Sequence, residues 1–139
     1  MKSLLVGGAA LFLLGLINGL AVPYFENPRM GLSAHLAGVQ NALVLIAFGL
    51  MWKYLALSSK ALKLCSMLST YSMYSIWVSL VLAAAWGTSS ATPIAGAGFM
   101  GSSTQELIVN ILLYSGSLAI IVASVQVLLG LVNNKFIDV

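Results

Sequence analysis

His35 is the only histidine in the chain, and it stands near the start of an apolar run, "GLSAHLAGVQNALVLIAFGLMW" at 31–52. Two readings of it are open. An imidazole near the end of a membrane helix can simply donate to a neighbouring carbonyl. It can also ligate a metal, since neutral imidazole is the commonest protein ligand. The rest of the chain narrows the second reading. One histidine builds no zinc site without thiolate or carboxylate partners, and Cys65 stands on a different span, toward the opposite side of the membrane. Nor can one histidine make a bis-histidine electron carrier. It can supply the single axial ligand of a haem, whose porphyrin brings four nitrogens of its own, leaving one iron face open. The lone Cys65 excludes an internal disulfide, and the absence of CxxCH excludes covalent c-type attachment.

Asn41 follows six residues later, about 120° around a helix from His35, so the two cannot touch one small ligand from one face. They could line opposite walls of a groove, or belong to sites shared between subunits. Alternatively Asn41, like Gln40 beside it, makes an interhelical hydrogen bond. In "STYSMYSIW", Tyr71, Tyr74 and Ser75 fall at i, i+3, i+4 and are expected to share a face, with Trp77 one residue short of a further turn beyond Tyr74. A membrane tyrosine can donate to a substrate oxygen, or pack, bond a carbonyl and belong to an aromatic belt. Asn18, Asn110, Tyr114 and Gln126 are further polar candidates. Glu106 looks catalytic in isolation, but Ser103-Thr104-Gln105-Glu106 reads as an S-x-x-E capping box at the start of a helix.

The elements that must position these groups follow from composition. Only 6% of the residues are charged and mean hydropathy is +1.04, whereas soluble domains run at roughly a quarter charged. About 20 apolar residues cross a bilayer core of about 30 Å as a helix, and a helix alone satisfies its backbone within one segment. Four uncharged stretches have that length: Ser3–Phe25, Met30–Trp52, Leu64–Gly87 and Leu107–Asn134. The expected fold is an all-α polytopic membrane protein, a four-transmembrane-helix bundle forming one membrane domain, with spans near 3–25, 30–52, 64–87 and 106–134. The first stretch could imitate a secretory signal, with Gly19-Leu20-Ala21 as a cleavage site, but it is long enough to span and is expected to be retained.

The net charge of +3 indicates no nucleic-acid partner, because the basic residues form no cluster on one face. They report topology instead. Lys2 precedes the first span, Lys53, Lys60 and Lys63 surround the second link, and Lys135 follows the fourth span; the first link holds only Arg29 with Glu26, and the third no Lys or Arg. Both termini are therefore expected in the cytoplasm, most simply of a bacterial inner membrane. Pro23, Asn27 and Pro28 break the first link. The short second link implies an antiparallel hairpin. The long third link, "GTSSATPIAGAGFMGSST", is expected to fold over the outer helix ends. Small residues recur four apart, at Gly15 and Gly19 and at Ala34, Gly38 and Ala42. Such stripes let backbones approach in lipid, either within one subunit or at an oligomer seam.

Three stretches carry a resemblance to the hydroxylaminobenzene mutases: "NPRMGLSAHLAGVQN" (27–41), "YSIWVSLVLAAAWG" (74–87) and "PIAGAGFMGSSTQE" (93–106), together about a third of the chain. More distantly the chain resembles styrene oxide isomerase, through Ala34-His35 with Asn41 six places on. The resemblance implies a homotrimer in the lipid bilayer with haem b near the subunit interfaces, His35 as its axial ligand, and Asn41 on the open iron face. That family's third-span tyrosine and aspartate meet apolar or hydroxyl-bearing residues around Tyr74. The mutases move a hydroxyl from nitrogen to the ring of a small aromatic substrate, giving 2-aminophenol. The implied chemistry has ferric haem as a Lewis acid polarising the N–O bond, with Asn41 and a tyrosine, Tyr74 or Tyr71, holding the oxygen and amine.

Three other readings remain open: an epoxide isomerase, a binding or transport protein, and a structural subunit whose polar residues are interhelical glue. Small multidrug transporters also use four short helices, but they carry a glutamate in the first span, where this chain has no carboxylate.

Overall fold

The computed structural model describes residues 1–134; Lys135, one of the flanking lysines used for topology, lies outside them. Four long helices dominate: α1 (Lys2–Ala21), α2 (Pro28–Met51), α3 (Ser59–Trp86) and α5 (Ser103–Val132), with a single turn, α4 (Pro93–Gly96), in the third link. No strand occurs among the described residues. All four long helices are long and apolar enough to cross a membrane, so the protein is an integral membrane protein.

The helices pack as two antiparallel pairs. α1 lies along α2, α3 lies along α5, and the pairs meet chiefly across α2 and α3. Small residues set both close seams, because in lipid it is van der Waals contact that holds helices together. Between α1 and α2 the backbones touch where Gly15 faces Gly38: a Cβ on Gly15 would stand 2.9 Å from the Val39 nitrogen and 3.0 Å from the Gly38 carbonyl carbon. The small-residue stripe foreseen from the sequence thus packs within one subunit. Between α3 and α5 the seam is a serine-rich stripe not singled out above. Cys65, Ser69, Ser72, Ser75 and Ser79 are buried, facing Gly116, Ala119 and Ala123. Ser75 bonds the Leu112 carbonyl across the seam at 2.8 Å, while Ser69, Ser72 and Ser79 bond back to carbonyls of their own helix.

Helix starts and stops follow local chemistry. Asn27 caps α2, its side chain accepting from the Met30 amide at 3.1 Å, with Pro28 in the first turn. α3 stops at Gly87, which takes the left-handed φ of 67° that favours glycine. α3 begins five residues before the uncharged stretch, and Lys60 and Lys63 sit in its first turns. At 1.5 Å per residue its 28 residues rise about 42 Å, more than the hydrocarbon needs, so its lysine end reaches the polar interface.

The cap of α5 is a correction. The capping box is Ser102 with Gln105, one residue ahead of the Ser103–Glu106 register: Ser102 Oγ accepts from the Gln105 amide and Gln105 Oε1 from the Ser102 amide. Both registers fit the S-x-x-[EQ] pattern, and the glutamine is used because the carboxylate is needed elsewhere. Glu106 accepts from the amides of Ser89, Ser90 and Gly101 at 3.0–3.3 Å and from the Ser90 hydroxyl at 2.6 Å. Asn27 holds the same link from the other side, donating to the Ala95 and Gly96 carbonyls. The third link therefore folds over one end of the helices, as expected. Replacing Glu106 by Gln removes the charge from these bonds; amide hydrogen exchange at Ser89, Ser90 and Gly101 should quicken by about tenfold or more, while the α1–α2 seam stays protected.

Candidate functional site

α2 carries both polar groups of interest, and its buried stripe decides where each one points. Gly31, Ala34, Gly38, Ala42, Leu45 and Gly49 are all buried. His35 lies on the flank of that stripe nearest α1, and Asn41 on the flank nearest α3. The half-buried His35 ring crosses to α1, where Nδ1 stands 2.8 Å from the Gly15 carbonyl oxygen. A carbonyl only accepts, so Nδ1 carries the hydrogen, and in the neutral ring Nε2 then carries the lone pair. Nε2 makes no hydrogen bond among the described residues. The neighbour-carbonyl reading of His35 is therefore correct for one nitrogen, and it leaves the other ready to ligate.

Asn41 crosses the other way. Its Nδ2 donates to the Met73 carbonyl at 3.0 Å, so the interhelical bond foreseen for it exists, and Oδ1 remains as an acceptor. His35 and Asn41 are not brought together within one chain. Between them the Gly15–Gly38 contact closes the seam, with the indole edge of Trp77 against it; a Cβ on Gly38 would come 2.8 Å from Trp77 Nε1. That indole N–H is buried with no partner.

Tyr71, Tyr74 and Ser75 do not share one face, contrary to the expectation from their spacing. Tyr71 and Ser75 turn to α5, Tyr71 pairing with Ser115 Oγ at 2.7 Å and Ser75 with the Leu112 carbonyl. Tyr74 reaches back to α1 and donates to the Gly7 carbonyl at 2.8 Å. Positions i+3 and i+4 lie about 60° to one side and 40° to the other of position i. On a helix wedged between two neighbours, that spread sends them into different grooves. Of the weaker candidates, Asn18 is buried and donates to the Gly31 carbonyl at 3.1 Å, one turn from His35. Asn110 accepts from Ser90, Tyr114 is exposed, and the buried Gln126 Oε1 has no partner.

Two residues that frame the His35 ring, Gly15 and Gly19, were read from the sequence for packing only. Their spacing was legible as a packing stripe, but only the packed pair of helices puts the Gly15 carbonyl and the Gly19 backbone against the imidazole.

Among the described residues no group of three or more His, Cys, Asp or Glu could enclose a metal ion. What His35 offers is one oriented nitrogen donor. That donor set fits an iron porphyrin, which needs one protein nitrogen and supplies four of its own.

Comparison with known proteins identifies the family. A family model described as styrene oxide isomerase matches residues 1–132. Hydroxylaminobenzene mutase HabB of Ectopseudomonas oleovorans is 42% identical over 131 residues, which cover 94% of this chain and 80% of that protein. Hydroxylaminobenzene mutase HabA of the same organism is 38% identical over 131 residues, covering 94% of this chain and 97% of that protein. No solved structure gives a significant match. The chain therefore belongs to the styrene oxide isomerase family and is a four-span membrane isomerase.

Proposed function

We propose that the protein is a haem-dependent mutase that converts arylhydroxylamines of the hydroxylaminobenzene type to 2-aminophenols. The carrying observation is His35, a single imidazole with Nδ1 tied to the Gly15 carbonyl at 2.8 Å and Nε2 unclaimed. The names of the two relatives supply the substrate class. The conversion is an isomerisation: the N–O bond breaks, a C–O bond forms at the adjacent ring carbon, that carbon loses a proton and nitrogen gains one. No oxidant or reductant is required.

His35 would hold haem b through Nε2, and the group would supply a Lewis-acidic ferric iron that polarises the substrate N–O bond. The chain's own residues bind, orient and keep water away. With Nδ2 held by Met73, Asn41 presents Oδ1, which suits an N–H or O–H of the substrate. Tyr74 gives its hydrogen to Gly7 and keeps its oxygen as an acceptor. The apolar seams suit an aromatic substrate arriving from lipid and limit capture of the electron-poor ring by water.

A site that uses both His35 and Asn41 is completed by a second copy, since they occupy opposite flanks of α2. A homotrimer with haem near the subunit interfaces meets that need. Tyr114 supports it: it is 57% exposed near the middle of its span, where lipid offers a phenol no hydrogen-bond partner. The clustering of Lys2, Lys53, Lys60 and Lys63 at the same helix ends supports cytoplasmic termini in a bacterial inner membrane. The family model's description favours an epoxide as the second substrate class to assay.

Protein expressed with ample haem and purified in detergent should show a Soret band and turn hydroxylaminobenzene into 2-aminophenol. His35→Ala should lose the band and the activity together; a wild type without the band overturns the proposal. Asn41→Ala should keep the band and lose on the order of 10–100-fold in kcat. An unchanged rate would place Asn41 outside the site.

A further inference from the structure

The α1 backbone passes directly beneath the imidazole at Gly19. A Cβ on Gly19 would stand 2.7 Å from Nδ1, 2.9 Å from Cε1 and 3.2 Å from Cγ of His35, nearer than side chains pack. One turn away on α1, the Gly15 carbonyl accepts from Nδ1. These are separate constraints: the hydrogen bond decides which nitrogen is protonated, and the bare backbone decides where the ring plane can lie. Asn18, between the two glycines, ties α1 to α2 through the Gly31 carbonyl and holds the register.

We propose that Gly19 is a positioning residue for His35: its bare Cα seats the imidazole so that Nδ1–H reaches the Gly15 carbonyl and Nε2 is presented as the ligand. The ligand part rests on the haem reading above; the seat itself does not. The three heavy atoms nearest a methyl group at Gly19 all belong to the His35 ring and none to backbone, so the ring yields before the helices. The hydrogen bond to Gly15 is then lost, and with it the fixed tautomer. Gly8 is the matched comparison on the same seam. A Cβ there would meet backbone, the Ala42 oxygen at 2.9 Å and the Ile46 nitrogen at 3.1 Å, besides Ile46 Cγ1 at 2.7 Å. Gly8→Ala therefore strains the helix pair without touching His35.

The chain's single histidine makes the test direct. With a purification tag free of histidine, protein labelled with 15N-histidine gives one imidazole in its nitrogen NMR spectrum, read without assignment. At alkaline pH and without haem, the wild type should show one neutral tautomer protonated at Nδ1. Gly19→Ala should show a mixture, bind haem about tenfold or more weakly by spectral titration, and melt close to the wild type. Gly8→Ala should melt lower and keep the wild-type tautomer. Four results would overturn the proposal: a wild type not held as Nδ1–H, a Gly19→Ala protein with the wild-type tautomer and haem affinity, failure of Gly19→Ala to fold, or an equal tautomer change in Gly8→Ala. If the wild type takes up no haem, the haem reading falls, and the tautomer comparison still decides whether Gly19 seats the ring.

Discussion

The bond from His35 Nδ1 to the Gly15 carbonyl is the interaction on which the site depends. It gives the only imidazole a defined tautomer and a defined direction inside an apolar seam. A hydrogen bond of this kind contributes only about 0.5–1.5 kcal/mol to folding. Its larger consequence is chemical, because the nitrogen it leaves bare is the one strong neutral donor the chain can offer an iron centre. A backbone carbonyl inside a helix already accepts one amide, so it has a lone pair to spare without breaking the helix.

That bond requires close helices, and close helices require glycine. Where Gly15 meets Gly38 there is no room for a side chain on either partner. In lipid such a seam is held by surface contact and a few interhelical hydrogen bonds, here from Asn18 and His35 on one side of α2 and Asn41 on the other. The same economy runs through the second pair, where the buried serines of α3 are small enough to admit α5 and satisfy their hydroxyls on nearby carbonyls. The third link is held by Glu106 and Asn27 rather than by an apolar core of its own. Their job is to close the helix ends, which also accounts for a carboxylate that takes no part in the proposed chemistry.

The four spans were legible because a bilayer demands a fixed apolar length. The ends of α3 and α5 were less so. Lysines in the first turns of α3 extend the helix past the hydrocarbon, and two overlapping S-x-x-[EQ] registers at the start of α5 cannot be ranked without knowing that Glu106 is engaged by the loop. His35 and Asn41 stood out as candidates by residue type, since polar groups are costly at that depth. Their partners could not, because the register of one helix against another is absent from the periodicity of either. Hence Gly15 and Gly19 read as packing alone, and Tyr71, Tyr74 and Ser75 read as one face although α3 divides them between two grooves.

The account stands or falls on whether the bare nitrogen of His35 binds iron. Pulsed electron paramagnetic resonance of the ferric protein, prepared with and without 15N-labelled histidine, reads that bond alone. A hyperfine coupling that changes with the label, from one axial imidazole nitrogen, is the predicted result. Spectra indifferent to the label, in protein that carries ferric haem, would put the iron elsewhere and leave the imidazole as nothing more than a clasp between two helices.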